Sequence, residues 1–452
     1  MADVRPFRGW RFDPARVDLG AAVCPPYDVI SPEEQRAYHA RDAHNVIRVE
    51  LGLGSTDPEA ADNRYAAAAQ ALAAWRDEGA LIQEQRPAVY LYEQAFRQRD
   101  GQTRRRRGLL AAGRLQDPSP TGVLPHEDTR KGPIADRLAL LQATATNVSP
   151  LWLLYDDADG AVGGALAGAW ETPPAAEAEV DGETHRLWVV DDPPRLRALG
   201  AAFATRPLYI ADGHHRYKTA QVYRDERRGP SGSEDADAGY EFALMLLVPL
   251  DDPGLVVLPN HRLVRLDARS PEAVRAALAE TMTLEALPLP DGDAAAGALE
   301  SRLREAGVAG HAFVLVERDG AWLLRPRADA PWRDRLPGEQ GEAWRGLDVA
   351  VLDALVIRGA LGIRAEQESA QARATEHGAS DALSYVSDAA AAVGAVRRGE
   401  ADQAYLLNPT RVTQVCDVAS AGDRMPPKST FFVPKPVTGL VLHRLEGTRP
   451  LP

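Results

Sequence analysis

Pro207-Leu208-Tyr209-Ile210-Ala211-Asp212-Gly213-His214-His215-Arg216-Tyr217-Lys218-Thr219-Ala220 is the stretch around which the rest of the chain arranges itself. Leu208 to Ala211 is a short apolar run that reads as a buried strand. Asp212 and Gly213 break the extended period. From His215 onward Tyr217, Ala220, Val222 and Tyr223 recur roughly at helical spacing. The stretch is therefore strand, tight turn, helix. Two histidines, an arginine and a lysine crowd a place where acidic residues are normally preferred. An anion at the turn accounts for them. Backbone N–H groups and the helix dipole favour phosphate there, and Arg216 has the geometry to grip it in a fork. The plain alternative is an ordinary strand-helix junction, with Asp212 capping the helix and the histidines on the surface. The sequence leaves both open.

The chain has 452 residues, too many for one ordinary core, which points to two or three domains. A hydrophobic content of 45% and a charged content of 26% fit a soluble globular protein. The formal net charge of −13 argues against a broad nucleic-acid face but leaves room for a local basic pocket. Cys24 and Cys416 are far apart and form no CxxC pattern, which argues for a reducing compartment and against cysteine-ligated zinc. No apolar run has the length of a membrane span, and Met1 to Trp10 has no signal-peptide core, so a cytoplasmic protein is expected. GxGxxG, the Walker pattern and the Gly-x-Ser-x-Gly elbow are absent.

Other polar blocks follow in chain order. Pro25-Pro26-Tyr27-Asp28 forces an extended backbone before Tyr27. Ser31-Pro32-Glu33-Glu34 is a helix start with cap, proline and first-turn acids. Val46 to Leu51 alternates like a strand, with Glu50 at its end as a catalytic candidate or a solvated terminus. Arg104 to Arg107 reads as a solvated hairpin between strands, with an anion patch as the other reading. His126-Glu127 with Arg130 and Lys131 lies in a loop where the four can converge on a ligand, or simply form salt bridges. A helix is expected over 136–145, a flexible connection over 156–182, and buried strands over 241–250 and 255–258. Asn260-His261-Arg262 follows the second of these, where ligands of α/β sheets collect. Residues 347–361 and 380–398 read as helices, and Arg318-Asp319-Gly320 as a hairpin turn. Lys428-Ser429-Thr430, on a proline-stiffened loop, can present donors to a phosphate or serve as a rigid connector.

Read together, Pro25-Pro26-Tyr27-Asp28-Val29-Ile30, His126-Glu127-Asp128-Thr129, Ala211 to Tyr217 and Met425 to Thr430 resemble, in this order, the bacterial family catalogued as domain of unknown function one thousand and fifteen. The resemblance runs from Arg5 to about Leu445. Locally, Asp212-Gly213-His214-His215-Arg216 is similar to the strand-turn-helix loop of the ParB/sulfiredoxin-like fold, which includes free serine kinases. That similarity implies an α/β protein of mixed sheets, with a ParB/sulfiredoxin-like core and additional α/β domains. The expected division is 1–155, a ParB-like core at 183–265, a small α/β unit at 266–335, and a C-terminal domain at 340–452. About 200 residues precede the loop here, whereas the ParB-like fold carries it near the start of a compact domain.

The resemblance further implies phosphate contacts from Gly213, His214, His215 and Arg216, with Asp212 as a catalytic or metal-orienting carboxylate. Arg130, Lys131, Lys428, Ser429 and Thr430 are further nucleotide-binding candidates. Glu127 and Glu50 are candidates for the catalytic glutamate of such kinases. Tyr27, Asp28, His126, Asn260, His261 and Arg262 are substrate-binding candidates. The expected activity is phosphoryl transfer from ATP or ADP, with Mg²⁺, to a small-molecule hydroxyl, free L-serine first. Two alternatives stand beside it. One is a nucleotide-binding switch with little turnover. The other is a metal-dependent hydrolase holding Zn²⁺ or Mn²⁺ through His126, Glu127, Asp212, His214 and His215.

Overall fold

A computed structural model describes residues 2–117, 119, 121–228, 235–266, 269–289, 294–363, 382–447, 449 and 450. The chain separates into two compact units, Met1–Leu255 with Pro434–Pro452, and Val256–Val433. Segments 1–155 and 183–255 thus share the first unit, while residues 256–265 belong to the second.

The first unit is built on a nine-stranded mixed sheet. Its strands are β1 (Val4–Arg5), β2 (Val89–Arg97), β3 (Thr103–Arg114), β4 (Val123–Leu124), β5 (Leu151–Tyr155), β6 (Ala176–Val180), β7 (Glu183–Val190), β8 (Leu208–Asp212) and β9 (Phe242–Pro249). The order is β4-β8-β5-β9-β3-β2-β7-β6, with β1 on β3. The run at 242–249 reads as apolar throughout because β9 lies between β5, parallel to it, and β3, antiparallel, and is buried on both faces. The helices that bear on the site are α1 (Pro32–Arg41), α2 (Ile47–Glu50), α3 (Arg64–Asp77), α4 (Lys131–Thr144), α5 (Pro193–Phe203) and α6 (His214–Arg228). α1 starts at Ser31, as its sequence predicts, and the structure adds a full capping box to Glu34.

Several local expectations are corrected. Val46 to Leu51 is helical, because the Asn45 side chain accepts from the Ile47 amide at 2.9 Å and starts a turn instead of a strand. Arg104 to Arg107 is not a hairpin turn. All four lie inside β3, with Arg107 opposite Glu93 and Arg106 opposite Gln94. The Arg107–Glu93 pair at 2.8 Å offsets part of the charge, and Arg106 is fully buried. The segment 156–182 contains a short helix, a 3₁₀ turn and β6. α4 begins five residues before its sequence suggests, so Lys131 stands at its first turn.

The second unit carries β10 (Val256–Leu258), β11 (His261–Val264), β12 (Met282–Leu287), β13 (Phe313–Glu317), β14 (Gly320–Pro326), β15 (Leu383–Val386), β16 (Gln403–Leu407) and β17 (Phe431–Val433). Six of these form a sheet in the order β12-β14-β13-β16-β11-β15, and β10 pairs with β17. The hairpin at Arg318-Asp319 is formed, with Glu317 opposite Gly320. Residues 380–398 are not one helix: 380 and 381 lie outside the described residues, 383–386 is β15, and the helix is Ala389–Arg397. Residues 348–352 are α-helical and 353–360 continue as a wider π turn. Among the described residues no helix is long and apolar enough to cross a membrane.

Candidate functional site

β8 ends at Asp212, and Gly213 takes φ +96, a conformation that glycine alone adopts without strain. α6 then starts, with the Tyr217 amide donating to the Gly213 carbonyl at 2.8 Å. Both Asp212 oxygens are engaged: Oδ2 accepts from Arg216 Nη2 at 2.7 Å, and Oδ1 accepts from Lys435 Nζ. Arg216 Nη1 also donates to Ser149 Oγ at 2.7 Å and to the Pro150 carbonyl at 2.5 Å. Its guanidinium is therefore occupied by protein acceptors, and a phosphate fork from Arg216 requires exchanging them. In this arrangement Arg216 orients Asp212.

The histidines have a bracing role. His214 Nε2 accepts from the His126 amide at 3.3 Å, and His215 Nε2 accepts from the Arg130 amide at 2.9 Å. A ring nitrogen that accepts from an amide carries no proton, so in both rings Nε2 is engaged as an acceptor. The His126 and His214 rings meet edge to face, 4.5 Å apart at 89°. The 126–130 loop is thereby stapled to the first turn of α6. His126 is completely buried, while Glu127 is partly exposed and Arg130 and Lys131 are exposed.

Lys435 draws further groups to this corner. Its side chain is only 11% exposed. Burial pulls the ammonium's pKa down and the Arg106 charge adds to this, while Asp28 and Glu127 oppose it. Asp212, Asp28 and Glu127 therefore all act on one buried ammonium. On the neighbouring side Tyr27 opens a 3₁₀ turn, Tyr27–Val29. Its amide donates to Glu50 Oε1 at 3.1 Å, and the Arg137 guanidinium lies 4.2 Å from its ring centre. Burial pushes the Tyr27 phenol up to about 12; Asp28 adds to this, and the charges of Arg137 and Arg216 oppose it. Arg137 also donates to the Glu50 carbonyl at 2.6 Å and pairs with Asp136 at 2.7 Å. Glu50 is buried at the end of α2, where the Asn45-capped turn places it.

A cavity of about 60 Å³ opens beside these groups. Glu50, Arg137, Ser149 and Arg216 are among its polar lining, and Leu140, Leu141, Val148, Leu151 and Leu244 are among its apolar walls. The structure thus brings Tyr27, Asp28, Glu50, His126, Glu127, Arg130, Asp212, Gly213, His214, His215 and Arg216 into one region of the first unit.

Of the remaining sequence candidates, Lys131 stands in the first turn of α4, and Asn260, His261, Arg262, Lys428, Ser429 and Thr430 lie in the second unit. Asn260 Nδ2 donates to the carbonyls of Lys428, 3.1 Å, and Thr430, 3.3 Å. Arg262 Nη1 donates to the carbonyls of Asn260 and Lys428, and Tyr385 lies under its guanidinium at 4.9 Å. His261 Nδ1 accepts from the Leu407 amide at 3.3 Å. Ser429 Oγ donates to the Pro426 carbonyl at 2.5 Å, and its own carbonyl accepts from Thr410 Oγ1. These side chains tie the loop down and leave Lys428, at φ +58, exposed.

Sequence reasoning missed Lys435, Arg137 and Ser149, and took Arg106 only as part of a solvated or anion-binding arginine run. Pro434-Lys435 carries no motif, and 223 positions separate Lys435 from Asp212. Among the described residues no three His, Cys, Asp or Glu side chains are grouped to hold a metal ion, so His126, Glu127, Asp212, His214 and His215 do not form the zinc or manganese group of the hydrolase alternative.

Residues 4–350 match the model of a family described as a protein of unknown function, DUF1015. The chain belongs to this family. No curated protein matches it. Among solved structures, a free serine kinase in complex with AMP aligns at 16% identity over 69% of this chain and 83% of that one, with a TM-score of 0.32. A conserved hypothetical protein from Pyrococcus furiosus aligns at 16% identity over 69% and 87%, with a TM-score of 0.31. SbnI with a C-terminal truncation, from Staphylococcus aureus, aligns at 9% identity over 72% and 84%, with a TM-score of 0.32.

Proposed function

We propose that the corner at Asp212-Gly213 binds ATP or ADP and transfers a phosphoryl group to the hydroxyl of a small molecule, free L-serine being the first acceptor to test. The observation that carries this reading is the convergence of Asp212, Asp28 and Glu127 on the Lys435 ammonium beside a glycine-started helix. Phosphoryl transfer asks a protein mainly for positioning and charge neutralisation. The Asp-Gly-His-His-Arg block, similar to that of free serine kinases, supports the same assignment.

Arg130 and Lys131, exposed at the start of α4, are the cations available to approaching phosphates. Asp212, held between two cations, is a fixed carboxylate. Glu127 is assigned as proton acceptor, since it acts on the same ammonium and is not fully buried. The acceptor oxygen loses its proton to Glu127 as it bonds to phosphorus. The bond from phosphorus to the donor's bridging oxygen breaks, and the nucleotide leaves one phosphoryl group shorter. These carboxylates suit a magnesium ion held by one of them together with phosphate oxygens and water. It would neutralise phosphate charge.

The test combines nucleotide thermal-shift measurements with a phosphoserine assay using labelled ATP and ADP. Nucleotide is expected to raise the melting temperature of the wild type but not of Arg216→Ala, where Asp212 loses one of its two cationic partners. Glu127→Gln is expected to keep the shift and lose turnover by about 100-fold or more. Binding without phosphorylation of any hydroxyl acceptor would favour the switch reading. Absence of any nucleotide shift would sink the proposal.

A further inference from the structure

Of the chain's 52 lysines and arginines only four are lysine, at 131, 218, 428 and 435. The first three are exposed, and Lys435 alone is enclosed, against Asp212. A chain that places arginine at almost every cationic position has kept a compact ammonium here, where a planar guanidinium makes a different contact. Behind that ammonium lies Arg106, 1% exposed. Its guanidinium stacks 3.9 Å from the Trp152 ring centre, donates to the Pro434 carbonyl at 2.7 Å, and donates to Gln94 Oε1. Trp152 is the register partner of Asp212 across the β5–β8 bulge, and Pro434 immediately precedes Lys435. Arg106 thus holds both members of the Asp212–Lys435 pair, one through the sheet and one through the returning C-terminal segment.

We propose that Arg106 is a positioning residue of this site, clamping Asp212 and Lys435 together so that they meet the ligand in one fixed arrangement. The proposal rests on the reading of the corner as a ligand site. A buried guanidinium without a contacting carboxylate is costly. Among the described residues Arg106 makes no ion pair within 4.0 Å, and its nearest compensation is carbonyl, amide and indole. Burial pulls it down to about 10. A packing role alone is served more cheaply by an uncharged side chain of similar length. The retained charge instead adds positive potential to the corner, which favours an anionic ligand. The charged groups facing Lys435 are Asp212 from β8, Asp28 from the 27–29 turn, Glu127 from the 126–130 loop and Arg106 from β3.

The test uses the full chain labelled with ¹³C-lysine. Four lysines give four resolvable signals, with Lys435 assigned by Lys435→Met. In the wild type the Lys435 signal is expected to titrate below the other three. In Arg106→Met it is expected to move upward by about one pH unit, the neighbouring charge being gone. In parallel, calorimetry with ADP should show Kd rising by about tenfold or more. An unchanged Lys435 titration in folded Arg106→Met overturns the proposal. If that variant does not fold, Trp152→Phe, which weakens the stack but keeps the charge, takes its place. Unchanged lysine signals and unchanged ADP affinity there overturn it equally. If ADP does not bind the wild type at all, the nucleotide reading fails, while the lysine signals of Trp152→Phe, which keeps the Arg106 charge, still decide the clamp.

Discussion

His443 is completely buried, and among the described residues neither ring nitrogen has a hydrogen-bond partner. The Phe7 ring meets it edge to face at 4.8 Å. Burial holds its pKa down to about 3, and His185, buried beside Tyr92, is held to about 4 by burial and the Arg106 charge. Both rings are neutral in the fold and take up a proton in the unfolded chain below about pH 6.5. Their contribution is complete above that pH, is lost progressively as pH falls below it, and the loss levels off only at the folded values near 4 and 3. His443→Leu removes two unsatisfied polar atoms at similar volume. Urea unfolding is expected to show it at least as stable as the wild type at pH 8. At pH 5 its advantage should grow by about 2 kcal/mol, and a pH-independent difference would contradict the burial argument. Asp212 and the turn after it were readable because strand, break and helix are adjacent in sequence. That the two histidines brace the loop was not readable, because their acceptor role appears only when the 126–130 loop is laid against α6. Arg106 was hidden for a different reason. Four consecutive arginines point alternately to two faces, and nothing in the pattern says which face is closed by Trp152.

The strand-helix corner depends on Gly213. A Cβ built there meets Leu151 Cδ2 at 3.1 Å and Arg216 Nη2 at 3.2 Å, and φ +96 is strained for any L side chain. Gly213→Ala is expected to cost about 1–3 kcal/mol in urea unfolding and to weaken nucleotide binding, since relief of the contact moves the Arg216 guanidinium that orients Asp212. A change below about 0.5 kcal/mol would mean the corner relaxes freely. Elements with their own local signals came out as the sequence reads: the helix start at Ser31, the central strand β9 and the Arg318-Asp319 hairpin. Val46 to Leu51 did not. Its alternation satisfies a strand, but the Asn45 side chain caps a turn while its amide donates to the Ala21 carbonyl at 2.6 Å. A tertiary hydrogen bond overrode the period, and in doing so carried Glu50 to the wall of the cavity.

The first unit is completed by residues 434–452, which return after the whole second unit. Val437, Leu440, Val441, Leu442 and Leu445 of this segment are each 5% exposed or less. Burying five such side chains contributes roughly 8–15 kcal/mol, comparable to the net stability of a domain. A chain ending at 433 is therefore expected to lack a cooperative unfolding transition for the first unit. The crossing points of the two units are adjacent, since Val256 is the register partner of Val433. Joining 255 to 434 through a short Gly/Ser linker is expected to give a folded first unit, read by far-UV circular dichroism and a single melting transition. Failure of that deletion to fold would show that the first unit depends on the second. This connectivity also orders events on the ribosome. At about 5–20 residues per second, the first 255 residues wait on the order of ten seconds or more for the second unit to be made before Lys435 can reach Asp212. A nascent chain stalled in that interval has its glycine turn and its histidines but no ammonium opposite the aspartate. Any activity seated at the corner is thus withheld until translation has passed residue 435.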